Sequence, residues 1–279
     1  MRRIRAVALL LAAALVASAG VAEQRDGRFG PQRRGGRFGP QVRMATPQSF
    51  DGSFNFCRII FRYAPDGDGG GWGVDYPRAD ENFSIRLSEL TKTPISHDAE
   101  GEPNYLLVRL TDPELFQCPF VMMTEPGGAF FDDQEAAALR NYLLKGGFLW
   151  ADGFWGEYAW TFWESQLRKA LPSASYPIFD VPLDHPIFHE FMRVSSIPQI
   201  PAIDFWERRR STSERGADSA VPHVRAIDDD HGRIIVLMTH NTDFGDAYER
   251  EGDDHEYFER FSVPGYAVGV NVVLYAMTH

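Results

Sequence analysis

The apolar positions of the chain fall into short continuous runs separated by stretches with helical spacing. Phe54 to Tyr63 is apolar at nearly every position. That pattern predicts a strand buried on both faces, as in a parallel sheet. A polar loop, Asp66-Gly67-Asp68-Gly69-Gly70-Gly71-Trp72, follows it. The spacing then predicts a helix over about Asp80 to Leu90, a strand over Tyr105 to Leu110, a turn or short helix from Asp112-Pro113-Glu114, and a strand over Phe120 to Thr124.

The central third has the strongest punctuation. Asp132 with Glu135 three residues on is a capping-box arrangement, and Leu139, Tyr142 and Leu143 share one helical face. Gly146-Gly147 stands where a helix ends. Phe148 to Ala151 reads as the next strand. A further helix near Glu157 to Ala170 places Trp160, Trp163, Leu167 and Leu171 on one side. Strand, helix, strand, helix in succession predicts an α/β domain with a mostly parallel sheet. Val221 to Ile227 and Ile234 to Met238 flank a polar turn at Asp228-Asp229-Asp230-His231-Gly232 and read as two strands. Val268 to Met277 has strand-like valines, but its length favours a buried helix.

The N-terminal residues follow different rules. Arg2, Arg3 and Arg5 precede an apolar run from Ala6 to Ala17, and small residues follow at Ala17-Ser18-Ala19 and Gly20-Val21-Ala22. This is the layout of an export signal over residues 1–22, cleaved after Ala19 or Ala22, and it predicts a periplasmic or extracellular protein. An uncleaved anchor is the alternative. No later segment reads as long and apolar enough to span a membrane. Residues 23–53 repeat Gly-Arg-Phe-Gly-Pro-Gln at positions 27–32 and 36–41 and are rich in Gly, Arg and Pro. They read as a disordered linker, either a plain spacer or a basic tether. Residues 54–279 are then one globular domain.

Charge sharpens that division. The chain has 28 Lys and Arg against 39 Asp and Glu, a net −11. Residues 23–53 carry six Arg against Glu23, Asp26 and Asp51, so residues 54–279 hold about −17 by difference. Such a body repels nucleic acid and anionic membrane surfaces. A hydrophobic content of 44% supports a sizeable core. The two cysteines, Cys57 and Cys118, sit in apolar runs. Buried thiols are favoured over a disulfide, since free Cys is among the most buried residue types. They have no metal-type spacing.

Several segments together resemble a family. They are Leu115-Phe116, Pro119-Phe120, Phe131 through Glu135, Leu139 through Gly147, Asp184-His185-Pro186-Ile187-Phe188, and Gly269 through Ala276. This combination is similar to bacterial domains called domain of unknown function 4159, and it covers nearly all of residues 54–279. That family looks like a distant relative of the class I glutamine amidotransferase-like fold, including the trehalose-utilisation (ThuA-like) proteins. The resemblance implies a flavodoxin-like three-layer sandwich, and no activity.

An amidotransferase needs a nucleophilic Cys on a strand-to-helix turn. The matching turn reads Asp152-Gly153-Phe154-Trp155-Gly156 and has neither Cys nor Ser, so no catalytic residue is assigned. Ligands of open α/β sheets bind at the C-terminal ends of strands. The candidate ligand-binding residues there are Trp72, Glu125, Asp152, Trp155, His240, Asn241 and Asp243, with His185 approaching from the Asp-His-Pro turn. Each has a plainer reading: His185 fixes a turn, Asp152 caps the next helix, and Trp72 and Trp155 close a core edge. Asp66-x-Asp68-Gly69 resembles the start of a calcium loop but lacks the remaining ligands. His185, Asp152, His240 and Asp243 are suitable metal ligands without a linking motif, so no metal and no cofactor are assigned. Asp243 to Glu256 is strongly acidic and reads as a solvated loop. The expectation is an exported binding module for a small polar ligand or an envelope protein. The alternative is a hydrolase of carbohydrate or envelope material, working through a carboxylate and a His.

Overall fold

The computed structural model describes residues 42–279. The expected export signal and linker residues 23–41 lie outside the described residues. The strands are β1 (Phe56–Ile60), β2 (Arg62–Tyr63), β3 (Tyr105–Arg109), β4 (Phe120–Thr124), β5 (Ala129–Phe130), β6 (Phe148–Phe154), β7 (Phe179–Asp180), β8 (His223–Asp228) and β9 (Ile234–His240). The helices are α1 (Arg78–Thr91), α2 (Asp133–Leu144), α3 (Gly156–Ala170), α4 (Ile203–Arg209), α5 (Phe244–Glu249), α6 (His255–Tyr257) and α7 (Val263–Thr278). Seven strands form one sheet in the order β3-β1-β4-β6-β9-β8-β7. Pairing is parallel from β3 through β9 and antiparallel at β8 and β7.

Alternate side chains of each strand serve opposite faces. Phe148 and Trp150 join a core with α1, α5 and α7, whereas Leu149 and Ala151 join one with α2 and α3. The result is a mixed α/β domain with helices on both faces of a mostly parallel sheet. The Asp132–Glu135 capping box forms as the sequence predicts, and the valine-rich C-terminal segment is helical.

Four expectations need correction. Strand β6 does not stop at Ala151; it runs through Asp152 and Gly153 to Phe154, paired with β4 and β9. Neighbouring strands on both sides supply hydrogen bonds that local sequence cannot reveal. The end of the expected linker, residues 42–53, is seated on the domain. Ala45 N–H donates to Leu107 O and Leu107 N–H to Arg43 O, each at 2.9 Å, and Arg43 pairs with Asp98 at 2.9 Å. The free edge of β3 recruits this polar segment.

The C-terminal helical segment extends back to His255, making 24 residues with an apolar window of mean hydropathy 1.3. By length and composition it is long enough to cross a membrane, which the apolar run alone concealed. Of that window, 67% is buried inside the domain.

Finally, the cysteines are not thiols. Cys57 and Cys118 form a disulfide with Cα atoms 6.2 Å apart. The pairing joins β1 to the residue before Pro119 at the entry to β4, two sites brought together only by strand order. The bridge spans a sequence separation of 61. Loop closure of that size restricts the unfolded chain by about 4 kcal/mol. The double variant C57S/C118S is therefore expected to unfold in urea at a clearly lower midpoint than the oxidised protein; equal midpoints would show that the bridge contributes nothing.

Candidate functional site

The C-terminal edge of the parallel strands is organised by a buried cation. Arg58 projects from the middle of β1, and its side chain is fully buried. It forms an ion pair with Asp80 on α1. It also donates to Trp72 O at 3.2 Å, to Val74 O at 2.9 Å and to Thr124 Oγ1 at the end of β4. The Gly-rich loop is thereby fastened to the sheet. Trp72 is half-buried and packs edge-on against Tyr76 with ring centres 5.9 Å apart, so its ring closes the core edge.

Glu125 follows β4 in a left-handed backbone conformation, φ 47°. Its N–H donates to Asp152 O at 2.7 Å. Its carboxylate accepts from the N–H groups of Gly70 and Gly71. A Cβ at residue 69 would stand 2.8 Å from Glu125 Oε2, so glycine permits the close approach. The loop that offered a ligand cradle is folded over the protein's own carboxylate. Burial pushes the Glu125 carboxyl up to about 7, against the two backbone donors. Asp68 pairs with Arg215 at 3.0 Å.

Asp152 is fully buried and caps a helix, though not the one after its own strand. It accepts from Thr239 Oγ1, from Phe244 N–H at 2.8 Å and from Gly245 N–H at 3.1 Å, at the start of α5. Burial raises it to about 7 against those donors. Asp243 is the N-cap of α5 and accepts from Asp246 N–H at 3.1 Å. Burial, then the charges of Asp75, Asp246 and Asp152, raise Asp243 well above the usual carboxylate range.

The acidic run from Asp243 is therefore a buried helix in its first half and exposed only from Gly252 to Glu256. Asp243, Asp246 and Glu249 recur at helical spacing, and Asp243 and Asp246 are buried. One carboxylate oxygen each from Asp75, Asp246 and Glu249 lie within 4.8 Å of one another. Burial and the Glu249 charge raise Asp246 to about 8. Asp75, Asp246 and Glu249 were missed by the sequence reading. The three-residue interval from Asp243 to Asp246 to Glu249 was the available signal, while nothing in the sequence draws Asp75 to them.

The imidazoles lie elsewhere. Thr239 faces Asp152, so by strand alternation His240 faces α3. Its ring lies 5.1 Å from Phe154 and 5.3 Å from Trp160, and Nε2 is 2.9 Å from Gly156 O. Asn241, at φ 61°, is a connector: Oδ1 accepts from Gly156 N–H at 2.8 Å and Nδ2 donates to Val221 O at 2.9 Å. Trp155 is buried at the N-cap position of α3.

His185 accepts from Ile187 N–H at 3.2 Å and packs 5.9 Å from Tyr275. The Tyr275 hydroxyl accepts from Ile234 N–H, at the opposite end of β9. Thus Glu125, Asp152 and Asp243 converge, His240 and Asn241 reach the same edge on the other face, and His185 does not approach. The single pocket of carboxylates, two imidazoles and aromatic walls expected from the sequence does not form. Two clefts, one lined by Phe50, Phe54 and Pro119 and one by Gly146, Asp229 and Arg233, lie at the other end of the sheet.

The sequence matches a family model over residues 59–277, that of the Domain of unknown function (DUF4159). A search of curated proteins gave no match.

His240 is held below its ordinary value of 6.5, at about 4, by burial that outweighs its bond to Gly156 O. Between those values the unfolded chain takes a proton that the folded one refuses. Acidification from pH 6.5 to 4 therefore removes stability, by up to about 3 kcal/mol at about 1.4 kcal/mol per pH unit. His240→Gln, which cannot take that proton, is expected to lose less stability over the same interval in chemical denaturation. Equal acid sensitivity in the two proteins would show that the ring is not held neutral.

Proposed function

The chain belongs to the DUF4159 family, and we propose that it is an exported cell-envelope domain that binds a polar ligand on an amidotransferase-like, flavodoxin-like scaffold without amidotransferase chemistry. One observation carries the reading. Where such an enzyme needs a nucleophile, β6 continues through Asp152, Gly153 and Phe154, and both cysteines are consumed in a disulfide. No thiolate is available for acyl transfer.

The disulfide also supports export, because such bonds persist in oxidising compartments. It accords with the N-terminal pattern of positive, apolar and small residues. Ligand binding is assigned to the C-terminal strand edge, where open α/β sheets bind theirs. Its crowded carboxyl groups, Asp75, Glu125, Asp243 and Asp246, favour a ligand with a positively charged group, which would draw these raised carboxyls into their ionised form. The hydrolase alternative needs Asp152 or Glu125 to work with His240. His240 faces α3, on the opposite side of the sheet from the Asp152 carboxylate, so no observation favours it.

Three measurements test this reading. Purified protein is expected to release no ammonia from glutamine; hydrolysis that disappears in Cys118→Ala would overturn the non-catalytic assignment. Mass spectrometry of the mature protein is expected to place its N-terminus at Gly20 or Glu23, and an intact Met1 would contradict a cleaved signal. Spermidine, as a cationic probe, is expected to raise the melting temperature of wild type more than that of Glu125→Gln. An identical response in both would remove Glu125 from the binding edge.

A further inference from the structure

We infer that Asp75, Asp246 and Glu249 form a binding site for a hard divalent cation of calcium size, clamping the segment after the Gly-rich loop to α5. The inference shares Asp75 and Asp246 with the acidic edge assigned above but requires neither export nor a polar organic ligand, since it rests on three side chains and one unsatisfied atom.

The first support is geometric. One oxygen from each carboxylate lies within 4.8 Å of the other two. A calcium ion holds oxygen ligands at about 2.3–2.6 Å, so donors on opposite sides of it stand up to about 5 Å apart. Magnesium, at about 2.0–2.1 Å, draws its donors to about 4.2 Å or less and demands regular octahedral geometry. Oxygens within that limit can surround a calcium ion, whereas magnesium needs them closer and in regular octahedral order. The donor set contains carboxylates alone, with no thiolate or imidazole, which selects against zinc and copper.

The second support is independent of the clustering. Asp75 is only 7% exposed, and its Oδ2 is buried with no hydrogen-bond partner. Buried polar atoms are nearly always satisfied, and an orphan calls for a specific partner. Asp75 is placed firmly: its carbonyl accepts from Ala79 N–H at 2.9 Å. Its Oδ2 lies against the backbone of Gly245, where an added Cβ would stand 2.2 Å from that oxygen. Glycine at 245 is what lets the carboxylate reach the residue that precedes Asp246.

The neighbouring cations do not fill the role. Arg58 is committed to Asp80, Thr124 and two loop carbonyls. Arg250 Nε stands 2.7 Å from Glu249 Oε2, and its Nη1 stands 3.3 Å from Asp253. Arg250 therefore meets one oxygen of Glu249, and no ion pair reaches Asp75 or Asp246 among the described residues. Asp243 and Glu125 stand close enough to interact with Asp75 and Asp246, and a bound cation would relieve the repulsion among these carboxyls. Asp246 is 9% exposed and Glu249 is partly exposed, so the cluster is open to solvent at Glu249. Bound there, the ion ties Asp75 to both turns of α5.

The test uses the purified full chain, stripped with a chelator and titrated with Ca2+, Mg2+ and Mn2+ in calorimetry and thermal denaturation. Calcium is expected to bind with about one ion per chain. It should raise the melting temperature by about 5 °C or more at one hundred times its Kd. Magnesium is expected to bind at least about tenfold more weakly, from its shorter bonds and stricter geometry. D75N and E249Q keep side-chain shape and remove one charge each; each is expected to weaken calcium binding by about tenfold or more. D75N is also expected to melt at least as high as wild type when no metal is present, because it removes a carboxyl whose buried oxygen meets no donor. That second readout shows that the variant folds and that the lost response belongs to the site. The proposal is overturned if none of the three ions binds the stripped protein, or if D75N and E249Q respond to calcium as wild type does. It is also overturned if D75N without metal melts lower than wild type, which would mean that Asp75 is already satisfied within the protein.

Discussion

The domain is arranged around one desolvated guanidinium. Arg58 sits within β1, and a charge at that depth persists only when it is paired and hydrogen-bonded on every side. Each of those partners fixes a different piece of chain. Asp80 fixes the first turn of α1, the carbonyls of Trp72 and Val74 fix the end of the Gly-rich loop, and Thr124 fixes the end of β4. Asp75 lies between Val74 and α1, so its position is a consequence of how Arg58 is neutralised. Removing one partner of such a pair leaves an uncompensated buried charge, which costs about 3–5 kcal/mol. The loop and the strand ends form one rigid unit for that reason.

Acidic groups are then crowded onto the same edge, and the fold handles most of them in one way. Glu125, Asp152 and Asp243 each accept backbone N–H groups, from Gly70 and Gly71, from Phe244 and Gly245, and from Asp246. Backbone donors at a helix start and in a glycine turn are positive ends of dipoles, so they stabilise carboxylates without another ion. Asp75 is the exception, with an oxygen that meets no donor. The contrast sets Asp75 apart from the acids whose oxygens the backbone already satisfies.

Much of the framework was legible from periodicity and punctuation. Phe120 to Thr124 is a strand with the bounds its apolar run predicts. Asp132 caps α2, and the helix of residues 156–170 begins one residue before its predicted start. These features depend on residues a few positions apart, which sequence displays directly. The candidate site was legible only in part. Strand-end placement found Glu125, Asp152 and Asp243, but it also gathered His185, which the fold puts at the far end of β9 beside Tyr275. It placed His240 with them, although one step along a strand turns a side chain to the other face.

The sequence by itself determined the alternation of strands and helices, the excess negative charge of residues 54–279 and the lack of Cys and Ser from Asp152 to Gly156. These are properties of local pattern and residue type. Tertiary structure alone decided that Cys57 meets Cys118, that residues 43–45 pair with the β3 edge, and that Asp152 caps α5 rather than α3. It also decided that Asp75 faces Asp246 and Glu249 from far along the chain. Each of those depends on strand order and on the packing of α5 beside α1. Strand order is set by the burial of two cores at once, a global balance that leaves no trace in the spacing of neighbouring residues.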